Sequence, residues 1–222
     1  MTRTFDLRPV LNFLDALSQH NQKAWFDKNR PAYEVARVSF EGFIDSLIDE
    51  LRTFDDLKGL SAKECVSRIN RDIRFSKDKS PYKTNLGATI APGGRHSTQL
   101  GYHIAIGPLD HSMIAGGLYM PSPEQLRRFR EAVDHDAAGL KKITRTKAFV
   151  EEFGKIEGEK LKTAPQGYDR AHPEIKLLQL KQVTVVHHFS DTEVLGRDIL
   201  GRAVTVCRAM KPFLDYLNGA LL

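Results

Sequence analysis

Between Arg68 and Lys83 the chain reads Arg-Ile-Asn-Arg-Asp-Ile-Arg-Phe-Ser-Lys-Asp-Lys-Ser-Pro-Tyr-Lys, with six cationic side chains against two acids. This local excess of four positive charges nearly equals the net charge of +5 on all 222 residues, so charges elsewhere almost cancel. Arginine forks match phosphate or carboxylate oxygens in pairs, and lysines add point charges. The chemistry such a stretch suits is capture of an anion. Arg68, Arg74, Lys77, Lys79 and Lys83 would supply charge, Asp72 would orient the arginines, and Arg71 and Tyr82 complete the candidate ligand-binding set. A nucleic-acid ligand would also use aromatic platforms. Phe75 fits a core position in the local alternation, which leaves Tyr82, after Pro81, as the better exposed platform.

Two other readings of the same residues stay open. In one, a phosphoester hydrolase uses the cations to stabilise developing negative charge. It would need Asp72 and a histidine such as His103 to converge, although a carboxylate between arginines stays ionised and orients more readily than it donates a proton. In the other, Asp72 and Asp78 bridge neighbouring cations, and the stretch is a charge-latched scaffold.

Other candidate chemistry is weaker. Gly116-Gly117 precedes a helix start but matches neither the phosphate-loop nor the dinucleotide spacing, and glycines for close packing explain it. His103, His111, His187 and His188 form no metal-binding pattern, and no nucleophile elbow is visible. No pattern requires a cofactor or metal. Arg127, Arg128, Arg130, Lys141, Lys142, Arg145 and Lys147 are interspersed with acids, as on a solvated face.

The elements that must position the basic stretch follow from periodicity. Leu11, Leu14 and Leu17 predict a first helix from Asp6, a candidate N-cap, to about Asn21. Pro31 suits the start of a longer helix with one apolar stripe: Tyr33, Ala36, Phe40, Phe43, Ile44, Leu47, Ile48 and Leu51. From Cys65 to Tyr119 the period changes to two, predicting strands near Val66–Phe75, Asn85–Ala91, Gln99–Ile106 and Ser112–Tyr119. In that reading the basic stretch is a strand entering a Ser/Pro loop; the alternative is a helix, on which Arg68, Arg71, Arg74 and Lys77, three apart, form a single basic stripe. Pro92-Gly93-Gly94 and Gly107-Pro108-Leu109-Asp110 imply antiparallel pairing.

Ser122-Pro123-Glu124-Gln125 is a helix start with a capping box, and helical segments continue to Phe153, closing at Gly154. Lys160 to Pro173 reads as a long ordered loop, Glu174–Leu180 as a short helix and Gln182–Phe189 as a strand. Ser190 and Glu193 form a second capping box before C-terminal helices that Gly196, Gly201 and Pro212 are expected to interrupt. The fold expected is α+β, a single domain over residues 1–222. N-terminal helices pack on a mainly antiparallel sheet, and C-terminal helices follow it.

Composition agrees with this. At 41% hydrophobic and 27% charged residues, the chain is of ordinary soluble type, with no apolar run near the roughly 20 residues that a membrane span needs. Met1–Asp6 lacks a signal-peptide core and the two cysteines, Cys65 and Cys207, are isolated, so a cytoplasmic location is expected. Net positive charge permits an anionic small molecule or a nucleic acid as partner.

Several separated motifs carry a resemblance. They are the basic run from Arg68 to Lys83, Trp25-Phe26 with Asn29-Arg30 and Tyr33, Gly116-Gly117-Leu118-Tyr119 with Pro121, and Leu161-Lys162 with Pro165, Gly167, Tyr168 and His172-Pro173. In this order they resemble an uncharacterised family of bacteria and some fungi, domain of unknown function 2461. The resemblance covers nearly the whole chain and implies one full-length domain, but it brings no activity, cofactor or catalytic residue. Members of that family often carry a cation where this chain has Gln166, so the later motif adds no charge here.

Overall fold

A computed structural model describes residues 5–221. Of the N-terminal segment read above, residues 1–4 lie outside the described residues. The chain forms α1 (Arg8–Gln19), α2 (Lys23–Lys28), α3 (Arg30–Leu51) and α4 (Ala62–Cys65), then β1 (Leu86–Ile90), β2 (Tyr102–Ile106) and β3 (Ser112–Leu118). There follow α5 (Pro123–His135), α6 (Ala138–Thr144), α7 (Lys147–Phe153), α8 (Ile175–Leu178), β4 (Val183–Phe189), α9 (Asp191–Val194) and α10 (Ile199–Leu221). The fold is α+β: N-terminal helices, a four-stranded antiparallel sheet in the order β1-β2-β3-β4, and C-terminal helices packed on it. No helix among the described residues is long and apolar enough to cross a membrane.

The structure divides into two compact units. The first holds the chain up to Thr98 together with Tyr102–Ile114 and His188–Thr205. Its core is built by the helical stripe expected from the sequence. Ala36, Phe40, Phe43, Ile44, Leu47, Ile48 and Leu51 of α3 are all buried. So are Val10, Leu11, Phe13, Leu14 and Leu17 of α1. Asp6 accepts the Arg8 N–H at 3.0 Å, which satisfies one free donor at the start of α1. Strands β1 and β2 pair antiparallel with Ala88 opposite Ile104 and Thr89 opposite His103. Leu86, Ala88 and Ile90 are thereby buried with Tyr102, Ile104 and Ile106, and Tyr102 donates its hydroxyl to Asp55 at 2.8 Å.

The expected strand Val66–Phe75 does not form. Only isolated bridges remain, Val66 with Ala88 and Asn70 with Tyr82. Lys83 N–H bonds the Ile69 carbonyl at 2.8 Å and Arg71 N–H bonds the Pro81 carbonyl at 2.9 Å, so residues 69–83 fold back on themselves as an arm. Short polar side chains compete with the ladder beyond that point. Asp72 accepts the Arg74 N–H at 3.2 Å, and Asp78 accepts the Ser80 N–H at 2.9 Å. The first of these local turns ends the extended run before Phe75, and the second shapes the returning limb of the arm.

The second unit holds Gln99–Gly101, Ala115–His187 and Val206–Leu222. Here α5 begins at the expected capping box, with Gln125 N–H bonded to Ser122 Oγ at 3.2 Å, and α7 ends at Gly154 in the left-handed region. Gly196 separates α9 from α10, as expected. Gly201 and Pro212 do not interrupt α10, which is continuous from Ile199 to Leu221. Met210, Phe213, Leu214 and Leu217 flank the proline and are buried, and their burial outweighs the lost backbone bond. The glycine pair of β3 serves that packing. A Cβ on Gly116 would collide with Met210 Sδ, whereas one on Gly117 would collide with the Val183 carbonyl, at a φ of +114°. A thioether moves aside and a strand backbone does not. Gly117→Ala is therefore expected to lower the urea midpoint of unfolding more than Gly116→Ala, and equal shifts would contradict this account.

Candidate functional site

The arm is anchored at its root by an aromatic contact. Tyr82 stacks on Phe26 of α2 with ring centroids 4.2 Å apart and an interplanar angle of 16°. The Asn21 side chain accepts the Tyr82 N–H at 3.1 Å and donates to its carbonyl at 2.9 Å. Phe26 also packs on Tyr33 at 5.0 Å, and the Arg30 guanidinium lies 5.4 Å above the Phe26 ring. Tyr82 is thus a buried anchor, 6% exposed, and Phe75 is the open ring, 94% exposed. The sequence reading had these two roles reversed, because it extended the strand alternation through Phe75.

With the root held, Arg68 and Lys83 border a cleft of about 780 Å³ in the first unit. Tyr33, Arg37 and Glu41 line it from successive turns of α3, Lys63 from α4, Val66 and Ser67 from the arm's approach, and Thr89 from β1. Arg95 and His96 close it from the turn after β1. Arg95 is fastened by hydrogen bonds to the carbonyls of Lys63 at 2.9 Å and Glu64 at 3.1 Å. Five cations therefore face one carboxylate. Glu41 is already engaged by Arg37 at 2.7 Å, and Arg37 also reaches Glu34 at 2.9 Å. Among the described residues Lys63, Arg68 and Lys83 have no ion-pair partner. Lys83 has its pKa pulled down, first by burial and then by the nearby Arg68 charge. Asp72 feels the Arg68 charge without forming an ion pair with it, and the two neighbouring cations repel one another.

The outer part of the stretch is organised differently. Arg71 pairs with Asp78 and donates to the Ser80 carbonyl at 3.3 Å and to Ser76 Oγ at 3.4 Å. Arg74 makes a two-pronged bond to Asp72, at 3.0 and 2.6 Å. Lys79 donates to the Ile73 carbonyl at 3.0 Å, and Lys77 is exposed with no ion pair among the described residues. Asp78 titrates at about 2, held down by its bonds to Ser80 and by Arg71. The predicted set thus separates: Arg68 and Lys83 enter the cleft, Arg71, Asp72, Arg74, Lys77 and Lys79 shape the arm, and Tyr82 anchors it.

The pair that hydrolysis would need is not assembled. Asp72 belongs to Arg74, and His103 lies opposite Thr89, with Nδ1 3.4 Å from Thr89 Oγ1. Neither lines the cleft. The His103 pKa is lowered by surrounding protein and then by Lys83, which favours the neutral ring. Among the described residues no group of three or more His, Cys, Asp or Glu is placed to hold a metal ion. Cys65 is buried, and its thiol is pushed up to about 12, far from a reactive thiolate.

Sequence reasoning missed Arg37, Glu41, Lys63, Arg95 and His96. Tyr33, Arg37 and Glu41 recur every fourth residue, which places them on one flank of α3, but nothing in the chain tells what that flank faces. A family model described as "Conserved hypothetical protein (DUF2461)" matches residues 9–216. The chain belongs to this family. No curated protein and no solved structure matches it. Some motifs that carried the family resemblance now have physical roles: Phe26 meets Tyr33 and Tyr82 at the arm's root, and Trp25 packs on Phe13 of α1. In the second unit His172 accepts the Glu174 N–H on Nδ1 at 3.1 Å, which puts its proton on Nε2, 3.0 Å from Asp134. Both ring nitrogens are thus occupied in holding the long loop.

Asp78 gives a test of the arm. Its carboxylate has a depressed pKa, so its contribution to order is present above about pH 4 and lost as pH falls through about 2. Limited proteolysis should show faster cleavage within residues 72–80 in Asp78→Asn than in the wild type at neutral pH, with the thermal midpoint little changed because the pair is exposed. Unchanged cleavage would remove the latch from the account.

Proposed function

We propose that the cleft captures a phosphate-bearing or otherwise anionic ligand, with Arg68 and Lys83 as its principal contacts and Lys63 and Arg95 beside them. The observation that carries this reading is the convergence of five cations on one cleft whose only carboxylate is already spent on Arg37. The ligand would supply the missing counter-charge. The basic stretch contributes its two ends, Arg68 and Lys83, rather than its whole length. The scaffold reading accounts for the outer part, where Arg71–Asp78 and Arg74–Asp72 neutralise one another. Binding ranks above turnover, because Asp72 and His103 lie outside the cleft lining. We place the protein in the cytoplasm, a location that suits its two buried free cysteines.

Calorimetric titration with pyrophosphate at low salt tests this. Arg68→Ala and Lys83→Ala should each weaken binding by about tenfold or more, in line with charge-assisted hydrogen bonds, without loss of the folded baseline. Absence of pyrophosphate binding, or binding indifferent to both substitutions, would overturn the reading. The lowered Lys83 pKa adds a pH signature. An anion binds the protonated amine, so affinity should decline on the alkaline side of neutrality earlier than an ordinary lysine would allow, and binding there should take up a proton. Titrations in buffers of different ionisation enthalpy would reveal that uptake.

A further inference from the structure

The cleft leaves the exposed tip of the arm unexplained. Phe75 is 94% exposed, the most open large hydrophobic side chain among the described residues, and the Arg74 guanidinium lies 5.9 Å over its ring. An aromatic ring with a cation on one face and solvent on the other is a platform for a second flat π-system. Asp72 holds Arg74 in place by its two-pronged bond. The arm that presents this platform is itself fixed, by the Arg71–Asp78 pair and the Tyr82–Phe26 stack.

A second hollow of about 340 Å³ shares Lys83 with the cleft and is lined also by Ser18, Asn21, Arg71, Asp78, Ser80 and Asn85. Lys83 therefore joins the cleft to a hollow in which Arg71, paired with Asp78, reaches Ser76 Oγ next to Phe75 in the chain. The combination of a basic track with a stacking ring is what single-stranded nucleic acid requires, since each base offers a π-face and each linkage a negative charge. A lipid surface fits less well, because the neighbours of Phe75, namely Arg74, Ser76 and Lys77, are polar and offer no apolar area to bury.

We propose that the arm is a grip for single-stranded nucleic acid, in which a base stacks on Phe75 and the adjoining phosphates run past Arg71 and Lys83 to Arg68. This rests on the anion-binding reading of the cleft and names its ligand class. The sugar–phosphate backbone supplies affinity, and the stack supplies preference for unpaired bases.

The test is fluorescence anisotropy of a labelled oligothymidylate of roughly a dozen nucleotides at low salt, with a duplex of equal length and phosphatidylglycerol vesicles as parallel ligands. Phe75→Ala should weaken oligothymidylate binding roughly 5- to 150-fold, the range of base–aromatic stacking. Because Phe75 is solvent-exposed, the fold should not change. Phe75→Trp should restore binding and add a quenching signal when the oligonucleotide is bound. Lys83→Ala should flatten the logarithmic salt dependence by about 0.7 for a single phosphate contact. Phe75→Ala binding as tightly as wild type would overturn the grip, as would tighter binding of duplex or vesicles. If pyrophosphate binds and the oligonucleotide does not, the grip falls while the cleft reading stands. If neither binds, both fall.

Discussion

The Phe26–Tyr82 stack is the contact on which the basic arm depends. Residues 69–83 have too few ladder bonds to hold a direction by themselves, with one isolated bridge between Asn70 and Tyr82. Aromatic stacking contributes about 0.5–1.5 kcal/mol beyond the burial of the rings. The amide of Asn21 adds a donor and an acceptor to the Tyr82 backbone, in the pattern that a neighbouring strand would offer. One ring and one amide thus join the arm to the helices, and the buried side chain of Ile69 adds to this hold. That junction sets where Arg68 and Lys83 stand.

Charge is distributed along the arm by distance from that junction. At the tip each acid has a nearby arginine, Asp72 with Arg74 and Asp78 with Arg71, and the resulting pairs are local and largely solvated. Such pairs stabilise little, yet they restrict conformations of a loop that has few other contacts. At the root the carboxylate in the cleft lining, Glu41, is bonded to Arg37. Lys83 is partly buried next to Arg68, and both burial and the neighbouring charge disfavour its protonated form. The arginines of the tip are thus paired within the run, whereas Arg68 and Lys83 at its root are not.

The helices complete the cleft through their polar flanks. The buried stripe of α3 is set by Phe40, Phe43, Ile44 and Leu47, and the same helical repeat that buries these residues turns Tyr33, Arg37 and Glu41 toward the arm. Arg95 reaches the C-terminal end of α4 and bonds its carbonyls, where a cation is favoured by the backbone dipoles. Gly94 permits this approach, since a Cβ there would collide with Glu64. Five segments, namely α3, α4, the arm with its approach, β1 and the turn after β1, therefore surround one hollow.

Much of this was legible in the sequence. Helical stripes, capping boxes and the antiparallel strands follow from local periodicity, which depends only on which neighbours share a face. The anion-suited charge of Arg68 and Lys83 and the family motifs were visible for the same reason. Tertiary structure alone decided what each side chain meets. Asp72 accepted the Arg74 N–H and ended a strand that alternation had extended through Phe75, so the expected core ring became the open one and Tyr82 the buried one. Continuous burial carried α10 through Pro212 against its local preference. Arg37, Lys63 and Arg95 joined the site because distant segments pack together, and sequence periodicity holds no record of contacts across such separations.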